Sequence, residues 1–234
     1  MKLYRIAAIA GVCAFLGACA GAKASKEPKT YSVKEITTDG TIHIVVTNPK
    51  GGPTLGYAKN SGLKLLTAEQ DGFTFAFKDM NNNNALDDWE DWRNPIEKRA
   101  ESLAAELTKD EIAGLMLFSS HEREPEKGLT DAQKNYLKND NLRNILNAGG
   151  NNVQAAVTWN NAMQAYVEGL LAEGQKVIPV NFSSDPRSIA GSDAQYNAKG
   201  EDISRWPSNL GIAATFDPAV MLKFARIAAE EYRG

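Results

Sequence analysis

The sequence predicts an α/β chain, and three stretches carry that prediction. Val177-Ile178-Pro179-Val180 is a short apolar run that reads as a buried strand. The polar cluster Asn181-Phe182-Ser183-Ser184-Asp185-Pro186-Arg187 follows it at once. Further on, Asp217-Pro218 reads as an N-cap with proline at the first helical position, opening the helix AVMLKFARIAAEEYR. Strand, long Gly/Ser/Asp loop, then helix is the repeating unit of α/β domains. In those domains the carboxyl ends of the strands carry the ligand chemistry.

The chain has 234 residues, 43% of them hydrophobic, which is enough for a real core and for one or two domains. The formal net charge is −3, and removing Lys2 and Arg5 with a leader leaves about −5 (−3 minus 2). No basic stripe stands out, so nucleic acid is not an expected partner.

Residues 1–19 read as an export signal. Lys2 and Arg5 form the charged start and IAAIAGVCAFLGA the apolar body, which is too short for a usual membrane span. The body ends Leu16-Gly17-Ala18-Cys19, which resembles a bacterial lipobox. Cleavage there leaves Cys19 to be lipidated, anchoring an exported protein to a membrane of the periplasm or outer surface. The plainer alternative is a secretory signal with a chance cysteine. Either way Cys13 departs, so no disulfide framework is expected.

Residues 20–30 are small, polar and charged, and read as a flexible tether. Residues 31–78 carry strand signals and predict a small antiparallel β element. Asp39-Gly40 marks a hairpin turn before Thr41-Ile42-His43-Ile44-Val45-Val46, and Phe73-Thr74-Phe75-Ala76-Phe77 alternates aromatic with small residues. Alternation places His43 opposite Ile42 and Ile44, on a face expected to be solvated.

Residues 79–90 (DMNNNNALDDWE) fit the register of an EF-hand-type loop. Asp79, Asn81, Asn83, the Ala85 carbonyl and Glu90 fall at positions 1, 3, 5, 7 and 12. Asp87, at position 9, is placed to ligate through water. Asn84 stands where glycine is usual, and asparagine tolerates the left-handed turn better than most residues. An all-oxygen set suits a hard cation, so structural Ca2+ is expected, pinning the β element to the first helix. The bland alternative is an Asn-rich linker with chance acids.

Residues 91–234 form the main domain. Pro95 starts a helix over residues 96–107 whose stripe is Ile96, Ala100, Leu103, Ala104 and Leu107. Thr108 and Glu111 form a capping box, and a first strand is expected over residues 114–118. His121 follows that strand as a loop histidine or a functional one. A helix is expected over residues 131–146, and Gly149-Gly150-Asn151-Asn152 breaks the chain before another over residues 153–171. Gly174 ends that helix. Trp89 and Trp92 read as core, as does the stripe Trp159, Met163, Tyr166 and Leu170.

Two blocks resemble a known family. Asn181-Phe182-Ser183-Ser184-Asp185-Pro186-Arg187 and Trp206-Pro207-Ser208-Asn209-Leu210-Gly211-Ile212-Ala213-Ala214-Thr215-Phe216-Asp217-Pro218 resemble the amino-terminal barrel domain of glycoside hydrolase family 3. The run WEDWRNPIEKRAESLAAELTKDEIAGLM resembles the lead-in to that barrel. The resemblance covers about residues 72–234. It implies the first few βα units of a (β/α)8 barrel and a retaining β-glucosidase-type enzyme acting on terminal β-linked sugars. It also implies that Asp185 binds sugar hydroxyls, with Arg187 holding the loop or pairing with that Asp; the alternative is a plain turn aspartate. Arg205 and Trp206 are weaker candidates. The family's nucleophile and acid/base lie further along, so no catalytic residue is assigned and the chain is expected to be an inactive amino-terminal fragment. The competing reading is a non-catalytic, calcium-dependent glycan-binding lipoprotein.

Overall fold

A computed structural model describes residues 28–147, 153–184 and 203–233. Cys19 and the leader, the 149–152 break, Asp185, Arg187 and Gly234 lie outside the described residues.

The antiparallel β element is there, and it is larger than the sequence reading. Strand β1 (Ser32–Thr38) pairs with β2 (Thr41–Thr47), and β2 with β3 (Thr54–Ala58). The predicted Asp39-Gly40 turn has φ of 51° and 78° at its two residues, as a two-residue hairpin with right-twisted strands requires. A second hairpin joins β4 (Lys64–Gln70) to β5 (Phe73–Asp79) through Asp71-Gly72, whose φ values are also positive. Ile44 and Val46 of β2 pack against Ala76 of β5, with Tyr57 and Leu65 beside them. Asn48 ties the sheets together: its amide donates to the Ala76 and Pro53 carbonyls, and its Oδ1 accepts from Ala76 N at 2.7 Å.

His43 is opposite Ile44 as alternation demands, but its face is not solvated. The residue is half-buried, and its Nε2 is shielded with no hydrogen-bond partner among the described residues. The covering element is helix α4 (Val153–Gly169), whose Glu168 lies close enough to interact electrostatically with His43. A strand can be solvated on its outer face only where no later element packs there, and local alternation carries no record of later elements.

Glu168 also joins the β element to the main domain. It is 1% exposed, its Oε2 accepts from Ala58 N at 2.7 Å, and its Oε1 lies 4.0 Å from Lys78 Nζ. Burial holds Glu168 above the ordinary carboxylate range, opposed by the Ala58 amide and by Lys78. Burial likewise lowers Lys78, opposed by Glu168.

The main domain alternates helix and strand. Helix α1 (Ile96–Glu106) and α2 (Lys109–Leu115) precede β6 (Phe118–Glu122). The Thr108/Glu111 capping box forms on both arms, at 3.2 and 2.8 Å. The first strand therefore begins where the 114–118 expectation ended. Gly114 stays helical and lies so close to Asp140 and Asn141 that a side chain has no room.

Helix α3 (Asp131–Lys138) is half the expected length, because Asn141 turns the chain with φ 53° and residues 144–147 become strand β7 (Asn144–Asn147). Helix α4 then leads through a 3-10 turn to Gly174, left-handed at φ 81° as the sequence implied.

The last strand, β8, spans Asn181–Ser183 and not Val177–Val180. Val177 N donates to Met80 O at 2.7 Å and Val180 N to Gln164 Oε1 at 3.0 Å, while Pro179 has no N–H to give. Ladder bonding starts only at Asn181 N, which reaches Arg143 O at 2.8 Å.

Among the described residues β6, β7 and β8 form a parallel sheet in that order. Leu137, Ile145, Trp159, Met163 and Val167 make the core between this sheet and its helices. After residue 202, α5 (Asn209–Ala213) and α6 (Pro218–Glu231) form a helical pair around Ile212, Phe224 and Ala228. Asp217 caps α6, accepting from Ala219 N at 2.9 Å, with Pro218 in the first turn. No helix among the described residues is long and apolar enough to cross a membrane.

Candidate functional site

The carboxyl end of the parallel sheet is where a ligand would meet this fold. Strand pairing fixes which side chains share a face there. Ile145 of β7 enters the helix-side core, and Phe182 of β8, in register with it, stacks edge-on to Trp159 at 6.2 Å. Alternation therefore sends Leu146 and Ser183, which pair with each other, to the opposite face, and His121 pairs with Leu146 in the same row. Two pairs toward the amino end, on the same face, Asn181 Nδ2 donates to Asn144 Oδ1 across the strands at 3.1 Å. The face away from the helices thus carries amides, a hydroxyl and an imidazole around the apolar Leu146.

Glu122, in register with Asn147, belongs to the helix-facing row. Its carboxylate accepts from Gln133 Nε2 at 2.7 Å, Ser120 Oγ at 3.2 Å and Tyr136 Oη at 3.4 Å. Gln133 is itself buried and held by Thr130 N at 2.9 Å and the Trp159 indole at 3.3 Å. Burial, with Glu122 second, pushes the Tyr136 hydroxyl well above its ordinary range, so it stays a donor. A cavity of about 470 Å³ opens at this strand end. Sequence reasoning missed Glu122, because only the strand register reveals its partners in α3.

The structure follows β8 as far as Ser184, so the sugar-binding candidates Asp185 and Arg187 are not placed. Arg205 is exposed. Trp206 is half-buried against Phe224, with ring centres 5.4 Å apart, and its indole donates to Ser204 Oγ at 2.9 Å. It packs on α6.

The acidic loop is closely wound. Asp79 and Glu90 are 0% and 2% exposed, and neither has a salt-bridge partner among the described residues. Asp79 accepts from the amides of Asn83 and Asn84, and Glu90 from those of Met80 at 2.6 Å and Asp87 at 3.2 Å. Asn84 takes φ 60°, the left-handed turn that its position demands. Asn81 and Asn83 donate to Asp87 Oδ2 and turn their own oxygens to backbone amides, Asn83 Oδ1 receiving Ala85 N.

Burial pushes Glu90 up to about 7, with Asp87 and Asp79 acting in the same direction and its amide donors opposing. No group of three His, Cys, Asp or Glu side chains among the described residues is arranged to hold a metal. A cation here would draw on amide and carbonyl oxygens as well. The donor chemistry fits Ca2+ in type, since every candidate group is a hard oxygen.

Trp89 and Trp92 are core, as predicted. Trp89 is 3% exposed, while Trp92 stacks on Phe77 at 5.2 Å and donates to Ala76 O.

No family model matches the chain. Among curated proteins, a periplasmic β-glucosidase/β-xylosidase of Dickeya chrysanthemi is 34% identical over 183 residues, covering 74% of this chain and 26% of the relative. A probable β-glucosidase C of Aspergillus flavus is 30% identical over 143 residues, 58% of this chain and 22% of the relative. The chain is similar to β-glucosidases. A β-glucosidase C of Emericella nidulans is 38% identical over a shorter stretch of 55 residues, 24% of this chain and 9% of the relative. These matches agree with the glycoside hydrolase family 3 resemblance. The chain spans about a quarter of the length of the first two relatives.

Proposed function

We propose that this chain carries the first βα units of the barrel of an exported retaining glycosidase acting on terminal β-linked sugars. The observation that carries the reading is the similarity to β-glucosidases over about three-quarters of the chain. The parallel sheet, with its polar strand ends leading into the Asp185 segment, supports it. In this reading Asp185 accepts hydroxyl bonds from the terminal sugar, each worth ~1.5–3 kcal/mol because the acceptor is charged. Arg187 orients that loop. The export signal ends at Cys19, which carries a lipid anchor, and Ca2+ in the 79–90 loop stiffens the junction of the β element and α1.

Retaining hydrolysis needs two carboxyl groups about 5 Å apart, one as nucleophile and one as acid/base. In this reading the residues assigned here contribute sugar contacts, so binding is the property to test. Calorimetry with cellobiose and with maltose tests the reading. Saturable binding of the β-linked disaccharide and weaker binding of the α-linked one is expected, with no release from an aryl β-glucoside. Equal affinity for both sugars would overturn it.

A further inference from the structure

We infer that the cavity at the carboxyl end of β6, with His121 at its mouth and Glu122 in its wall, is a second saccharide-contact site. The inference rests on the glycosidase reading above and uses only described residues. Its lining includes His121, Glu122, Arg123, Glu124, Lys127 and Gln133, with no apolar side chain contributing. Two carboxylates face two cations, and Lys127 already pairs with Glu124 at 2.7 Å. The cavity therefore offers no net charge to an ion. It offers donors and acceptors together, which is the pattern that a neutral polyhydroxylated ligand satisfies.

Rigidity separates this cavity from ordinary polar surface. Glu122 is fixed by three donors, and one of these, Gln133, is locked by the buried Trp159 indole. A carboxylate has about four lone-pair sites, and the described residues supply three donors to Glu122. Little side-chain entropy is lost when so constrained a group binds.

Position completes the argument. His121 lies in the row His121–Leu146–Ser183 on the face away from the helices. Two strand spacings of ~4.8 Å put the end of β6 about 10 Å from the end of β8. That separation suits the next sugar of a chain rather than the terminal ring itself. The site therefore reads substrate length and leaving-group identity.

The sequence contains two histidines, His43 and His121, which makes ring-proton NMR a direct test. Titration of the whole chain with cellobiose should move the His121 ring signals saturably and leave His43 unmoved, while glucose should move neither. Glu122→Gln keeps the shape of the side chain and should weaken cellobiose about tenfold. Cellobiose binding seen by saturation transfer with His121 unmoved would overturn this site and leave the proposed function standing. Absence of binding by either sugar would overturn both.

Discussion

The β element and the parallel-sheet domain differ in how completely they cover themselves. In the first, Val46, Ala76 and Phe77 are fully buried, and polar groups such as Asn48 find backbone partners inside the same unit. In the second, one sheet face is packed with Trp159 and Met163 while hydrophobic side chains elsewhere stand in solvent. Met116 is 81% exposed, Leu210 80% and Phe216 93%. Helix α1 has its predicted stripe but buries none of its residues, and Ile96 is 76% exposed. A parallel sheet is normally covered on both faces and closed or protected at its edges. The contrast teaches that the β element, apart from Val33, Ile36 and Ile42, keeps its large apolar side chains inside or against α4, whereas the parallel-sheet domain leaves more of them in solvent.

The sharpest way to break the contrast is at its joint. Glu168→Ala would leave Lys78 buried without its counter-charge and the Ala58 amide without its acceptor, and should cost about 3–5 kcal/mol in urea unfolding. Loss of less than ~1 kcal/mol would mean that the two units do not depend on this contact.

Next comes the acidic loop. Glu90 is raised from 4.5 to about 7 in the folded protein, so without metal the folded state holds the proton more tightly than the unfolded chain. The stabilisation is complete below ~4.5 and is lost as pH rises toward 7, by about 3 kcal/mol. Ca2+ should reverse the slope, raising the melting temperature most near pH 7 and releasing a proton on binding near pH 6. Melting curves at pH 5 and 7, with Ca2+ and with chelator, measure both effects.

A smaller effect is expected at the start of α2. Thr108→Ala removes one arm of the capping box and should cost ~1 kcal/mol, read from thermal unfolding. The smallest is Phe216→Ser, which should change stability by less than ~0.5 kcal/mol in thermal unfolding, because the ring touches water rather than core.

What the sequence revealed follows from the range of the forces involved. Local signals held: the Asp39-Gly40 hairpin, the Thr108/Glu111 box, the Asp217-Pro218 start of α6 and the Gly174 stop all rest on bonds within a few residues. Boundaries set by distant partners did not. Val177 is apolar and extended, but its amide bonds Met80 rather than a neighbouring strand, so β8 starts later. The expected helix over residues 131–146 stops at Lys138: Asn139, Asp140 and Asn141 are poor helix formers, and Asn141 turns left-handed. Strands β3 and β4 went unread because glycines and prolines surround Thr54–Ala58; Asp71-Gly72 was a usable hairpin signal that preceded Phe73. Of the candidate site, the left-handed turn at Asn84 was legible in the acidic loop because it is a local count, while the loop's role as a Ca2+ site stays a proposal. Glu122 and the His121 row were not, because strand register is a long-range property.

The central claim is that the carboxyl end of this sheet holds a terminal β-linked sugar through Asp185. The most direct measurement is a calorimetric titration of cellobiose into the wild-type chain and into Asp185→Asn, with melting temperatures recorded for both. The account predicts saturable binding that the substitution weakens by tenfold or more at unchanged melting temperature. Unchanged affinity in Asp185→Asn would contradict it.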